Sequence, residues 1–422
     1  MKNRVAPLAV NPENKTETIP NQSDNLRTFF HKSASFGIPG MYPTLMESNR
    51  IGLIRGDVAE YKLKINVGPG EYDYIVLTNY VKEKSPWSIV QSKNLIILPG
   101  QALTESFYSD MAIYYAQQGY STYILDRRET NIPMDETNFS YMENWTIDSY
   151  LSDTYNGIAV SRVHTAFLSD KAVEDIEVTA IGHSHGALIL TAYGASTYND
   201  LVLGSVNKMV PVDIIIKYEP KHSELIRSQA QEFDTISRCL ENRTYNSSNM
   251  ATMIHIANLA LTDPDRESIF QPDLTNKQLF RLMATQTYAF NAYPYTPNYH
   301  YWSGDLDGLY YVDEDRLLNL TLTGGAVPYA PKYLDLYMAG LMGNVEGYEI
   351  DFSRISSPLL YIGLGGGFSD YGSWWYKNEV GKINDKVTYI GWKNQGHGSI
   401  ALDYNSHELW AIIHNWIISD YF

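Results

Sequence analysis

The sequence predicts an α/β protein, a mostly parallel sheet with helices on its faces, and three observations carry that reading. Short continuous apolar runs recur as KNLIILPG, STYILDRRE and IEVTAIG, the pattern of strands buried on both faces. Stretches with apolar residues at helical spacing separate them. The chain has 422 residues, enough for one large domain carrying an insertion.

Taken in order, residues 1–48 are rich in Asn, Ser, Pro and Lys without a clear period and predict an N-terminal tail. EYKLKINV and YDYIVLTNYV alternate apolar and polar residues around GPGE, which predicts two antiparallel strands joined by a turn. KNLIILPG is the first buried strand. SFYSDMAIYYAQQGY follows as a helix with Phe107, Met111, Tyr114 and Tyr115 near helical spacing and Gly119 as its C-cap. STYILDRRE is the next strand, a helix is predicted over 148–169, and IEVTAIG is a third strand leading into GALILTAYGAS, a helix. Strand and helix in this alternation give a parallel sheet with right-handed crossovers.

VDIIIKYEP at 212–220 predicts a further strand. From 221 to 354 the alternation stops and helices are predicted around 222–243, 249–262, 276–289 and 331–343, with an aromatic, Pro-rich loop among them. SPLLYIGLGGG and KVTYIGW restore the strand pattern, and SHELWAIIHNWII closes the chain with Leu409, Ile412, Ile413, Trp416 and Ile417 on one helix face. The expected organisation is a tail (1–48), an α/β core (49–220 and 355–422) and a mainly helical cap or lid inserted at 221–354.

A net charge of −16 and the lack of any basic run argue against nucleic acid or anionic lipid as partners. No apolar stretch approaches the roughly 20 residues of a membrane span, so a soluble chain is expected. The lone Cys239 excludes an internal disulfide and a Cys-based zinc site. The apolar piece in the N-terminal segment is too short for a secretory core, which fits a cytoplasmic protein or an exported one with its signal removed. Composition sets no oligomeric state. The 34 tyrosines suit a large half-buried surface or an aromatic-lined cleft.

Chemistry concentrates at AIGHSHGALIL. The pentapeptide GHSHG fits G-x-S-x-G, in which two glycines allow a sharp strand-to-helix turn that leaves a serine hydroxyl exposed. Ser184 is the candidate nucleophile, and the backbone N–H of His185 opens a helix, where unpaired donors favour negative charge. The histidines flanking the serine form no metal pair, because no Asp, Glu or Cys accompanies them at ligand spacing.

With the order of its elements, the chain resembles the α/β-hydrolase fold over roughly 50–220 and 355–420, in the manner of serine esterases and lipases. The resemblance implies more than the pentapeptide does. LIILPGQALTES would place the second oxyanion N–H on Gln101, with Ala102 as the alternative, although the usual His-Gly is here Pro99-Gly100. VTYIGWKNQGHGSIALDY would place the catalytic base at His397. SPLLYIGLGGGFSDYGSWW would place the acid at Asp370, with Glu219 in IIIKYEP as the runner-up. The cap segment TYAFNAYPYTPNYHYW, with Tyr295 and Trp302, and the acid loop, with Trp374 and Trp375, would line a site for a bulky or aromatic small-molecule ester. No metal or organic cofactor is implied. An acyltransferase or peptidase of the same fold, or a non-catalytic binding protein, stay open beside the ester hydrolase. Arg127 and Arg128 are assigned nothing beyond ion pairs near the site.

Overall fold

The computed structural model describes residues 20–33, 44–285, 308–309 and 312–419. The alternating segments form a meander of antiparallel strands, β1 (Thr44–Arg55), β2 (Val58–Asn66) and β3 (Tyr74–Ser85), with the short β4 (Ser88–Ile89) folded back on β3. The continuous apolar runs form the parallel part: β5 (Lys93–Leu98), β6 (Tyr120–Asp126), β7 (Val178–His183), β8 (Lys208–Val212), β11 (Leu359–Gly366) and β12 (Val387–Gly396). The strand order is β1-β2-β3-β6-β5-β7-β8-β11-β12, antiparallel as far as β6 and parallel from there on. A separate two-strand ladder pairs β9 (Asn246–Ser247) with β10 (Ala330–Pro331).

The apolar runs are continuous because both faces are covered. Along β5, Ile96 and Leu98 point into one core layer while Leu95 and Ile97 point into the other, as the two-residue period of a strand requires. The first layer packs α3 (Ile147–Ser169), α4 (His185–Gly194) and α10 (Ser369–Asn378) on the sheet; the second packs α2 (Glu105–Gln117), the short α11 (Ser399–Leu402) and α12 (Ser406–Ile418). In α12 the inward residues include Leu409, Ile413, Trp416 and Ile417, on the face expected.

Between β8 and β11 lie α5 (Ser223–Glu241), α6 (Asn249–Thr262), α7 (Asn276–Thr285), α8 (Glu314–Leu322) and α9 (Lys332–Met342), which make the inserted region mainly helical. Here α5 and α9 pack together through Ile236, Leu336 and Ala339.

Two expectations change. Within the predicted tail, α1 (Pro20–Ser33) is a helix whose Leu26 and Phe30 enter the core and whose Phe29 meets Phe167 edge-on at 5.7 Å, and β1 begins at Thr44. The strand predicted at 212–220 lies instead at Lys208–Val212. Ile214, Ile215 and Ile216 are buried, but in an irregular segment after the strand.

Candidate active site

The site lies at the C-terminal ends of the parallel strands, the edge of an α/β sheet where ligands bind. At the end of β7 the chain turns within one residue, and Ser184 carries φ +56° and ψ −124°. A positive φ at a residue other than glycine stores about 1–3 kcal/mol of strain and persists only where packing enforces it. The enforcement comes from the flanking glycines: a Cβ on Gly182 would lie 2.4 Å from the Gly186 carbonyl oxygen, and one on Gly186 would lie 2.1 Å from that of Leu98. The Ser184 carbonyl accepts the first helical bonds, from the N–H groups of Ala187 (2.8 Å) and Leu188 (3.0 Å). The amide of His185 opens α4, where no intrahelical acceptor exists for it.

The adjacent strand supplies a carboxylate. The Ser184 N–H donates to the Val212 carbonyl at 3.0 Å, and the next residue, Asp213, turns out of the sheet with φ +51°. Its fully buried carboxylate accepts the N–H groups of Leu364 (2.9 Å) and Phe368 (3.0 Å) on one oxygen, while the other shares the Phe368 N–H at 3.1 Å and lies 2.6 Å from His397 Nδ1. A buried carboxylate is tolerated only when bonded in this way. Gly367 keeps the space open, since a Cβ there would stand 1.8 Å from Asp213 Oδ2. Because the carboxylate accepts at Nδ1, the neutral ring carries its proton there and its basic lone pair on Nε2.

A second set of bonds ties the loop of His397, just after β12, to the loop after β5. Tyr108 Oη accepts the Gly100 N–H at 2.9 Å and lies 2.7 Å from His183 Nδ1; His183 Nε2 lies 2.7 Å from the His397 carbonyl oxygen. A carbonyl can only accept, so His183 carries its proton on Nε2 and Tyr108 donates to Nδ1. Burial and the neighbouring His397 hold the His183 pKa well below the usual range, which keeps the ring in this neutral state. Arg127, buried and ion-paired to Glu129 at 2.7 Å, donates to the carbonyls of Pro99 (2.6 Å) and Gly100 (2.8 Å). The Gly100 amide and both carbonyls are thus used. The next amide, that of Gln101, makes no backbone hydrogen bond among the described residues.

The inserted region covers this edge. The Thr104 N–H donates to Gly325 (3.0 Å), the Val327 N–H to Ala102 (2.9 Å), and Gln101 Nε2 to Asp335 Oδ1 on α9 (2.9 Å). Ser184 and His397 are 4 % and 2 % exposed.

A solved structure described as a lipase of Sulfolobus solfataricus is similar at TM-score 0.59 and 14 % identity, covering 90 % of this chain and 97 % of that one. This chain has the α/β-hydrolase fold. A carboxyl esterase of Bacillus coagulans is similar at TM-score 0.48 and 12 % identity, covering 86 % of this chain and 98 % of that one. No family model and no curated protein matches the sequence.

Within this α/β-hydrolase fold the sequence expectations fare unevenly. Ser184, His185, Gln101 and His397 gather at the strand ends. The carboxylate on His397 is that of Asp213, not of Asp370, which lies in α10, nor of Glu219, which pairs with Lys221 at 2.6 Å. The physical reason is position: β8 ends at Val212, so Asp213 and not a residue further on leaves the sheet beside the serine. A lone aspartate in the apolar run VPVDIII was the available signal, because an acid buried there needs a partner. Trp375 is 1 % exposed and packs edge-on against Tyr376 (5.1 Å) and Phe352 (6.3 Å), and Trp374 lies on the same core layer. Neither lines the site. Tyr295 and Trp302 fall outside the described residues. Among the described residues no group of three or more His, Cys, Asp or Glu side chains could hold a metal ion, and no helix is long and apolar enough to cross a membrane.

Proposed function

We propose that the chain is a serine hydrolase of small-molecule carboxylic esters, with Ser184 as nucleophile, His397 as base and Asp213 as the acid that orients it. The observation that carries the reading is the 2.6 Å contact of Asp213 with His397 Nδ1, just past the end of the strand next to the strained serine. It directs the Nε2 lone pair to the proton-accepting role a serine hydroxyl requires.

In the reaction Ser184 Oγ attacks the ester carbonyl as its proton passes to His397 Nε2. The tetrahedral oxyanion is held by the N–H groups of Gln101 and His185, each worth about 3 kcal/mol to the transition state. Collapse expels the alcohol, which takes the proton from His397 Nε2, and leaves Ser184 acylated. Water then attacks, its proton goes to His397, and the acid and free serine are released. Residues 221–354 act as a cap over the core formed by 49–220 and 355–422.

Rapid mixing with p-nitrophenyl butyrate is expected to give a burst of nitrophenolate approaching one equivalent, followed by slower turnover, with both phases lost in Ser184→Ala. A burst that survives in Ser184→Ala would overturn the reading. Added alcohol acceptors that divert acyl groups faster than water would make the enzyme an acyltransferase with the same nucleophile.

A further inference from the structure

We infer that Asp335, on cap helix α9, is a specificity-determining residue that recognises a cationic group on the substrate beside the scissile carbonyl. The inference rests on the placement of Gln101 and His185 around the oxyanion. Asp335 Oδ1 accepts Gln101 Nε2–H at 2.9 Å and lies 3.5 Å from His185 Nε2. One carboxyl of the cap therefore touches the side chains of both residues whose amides would hold the developing negative charge.

Among the described residues the ion-pair contact of Asp335 is with His185 alone. Burial, Arg127 and His397 lower the pKa of that ring to about 3, so it stays neutral. Lys332 attracts the carboxylate from farther off and Glu232 repels it. A charge left in this state opposes the oxyanion when the substrate is neutral, and is offset when the substrate brings a positive charge of its own. Burial pushes the Asp335 pKa up to about 7. The acid is then protonated below that pH and ionised above it, so the preference for a cation grows as pH rises through neutrality.

Two pairs of esters of matched shape differ in a fixed charge: butyrylcholine with 3,3-dimethylbutyl butyrate, and betaine ethyl ester with ethyl 3,3-dimethylbutanoate. They place the cation on the alcohol and the acyl side respectively. At pH 8 the native enzyme is expected to show a kcat/KM ratio of cationic to neutral ester, each divided by the ester's own rate of hydrolysis by hydroxide, of about tenfold or more in at least one pair, with that ratio falling to near unity in Asp335→Asn. The asparagine keeps an acceptor for Gln101, so a merely structural role would lower both esters together and leave the ratio unchanged. That result, or equal turnover of both members of both pairs by the native enzyme, overturns the inference while leaving the hydrolase reading intact. No turnover of any ester, with Ser184 unreactive, overturns both.

Discussion

Asp213→Asn is expected to lower kcat about 10⁴-fold, the loss associated with this exchange in a Ser-His-Asp site, with the fold intact. The reason lies in which oxygen binds what. Asp213 Oδ1 accepts the amides of Leu364 and Phe368, the second of these shared with Oδ2 at 3.1 Å, and Oδ2 faces His397. An asparagine satisfies the two amides by keeping its oxygen at the first position, which puts its NH₂ against His397 Nδ1. That nitrogen must then accept, the ring proton moves to Nε2, and the base presents a proton to Ser184 instead of a lone pair. Asp370→Asn and Glu219→Gln are expected to cost less than about tenfold, because neither carboxylate is the one on His397. Steady-state kinetics on p-nitrophenyl butyrate, with circular dichroism to verify folding, decides among the three; a large loss in Asp370→Asn with little in Asp213→Asn would reverse the assignment.

Gly186→Ala is the backbone counterpart. Its Cβ would lie 2.1 Å from the Leu98 carbonyl oxygen and 2.5 Å from that of Pro99, and neither can rotate away as a side chain could. The first turn of α4 must separate from the end of β5. Overpacking usually costs about 1–3 kcal/mol, and here the upper end is expected because the obstacle is main chain. The same displacement moves Ser184 and the His185 amide relative to Gln101, and a shift of about 1 Å costs roughly 10²-fold in rate. Thermal unfolding should show a Tm lower by several degrees, and kinetics a kcat at least about 10²-fold lower. A Tm and kcat equal to those of the native protein would mean that the close packing of this turn is not required.

Much of this arrangement was legible in the sequence, for definable reasons. The parallel strands were readable because burial on both faces demands unbroken apolar runs, and the sharp turn at Ser184 because its two glycines answer steric requirements that no other residue meets. Gln101 was nominated through the resemblance to the α/β-hydrolase fold and not through any pattern in LIILPGQA itself. Asp213 was missed although its place in an apolar run offered a signal, since VDIIIKYEP has the composition of a strand and Pro211 hides the end of the real one, KMVPV. Helix α1 was missed because, among its described side chains, Leu26 and Phe30 are the ones that enter the core, too few for a period to stand out. The bond series from Gly100 through Tyr108 and His183 to the His397 carbonyl joins residues nearly 300 positions apart, so no local pattern encodes it. It also gives the histidine before the serine a structural role, holding the base loop, and Arg127 a comparable one, holding the carbonyls of Pro99 and Gly100.

The central claim, that Ser184 is activated by His397, is tested most directly by treating the protein with a fluorophosphonate and mapping the adduct by mass spectrometry. One equivalent of phosphonyl group on Ser184, absent in Ser184→Ala and slowed at least about 10³-fold in His397→Ala, is the predicted result. A folded native protein that takes no label, or takes it on another residue, would contradict the account.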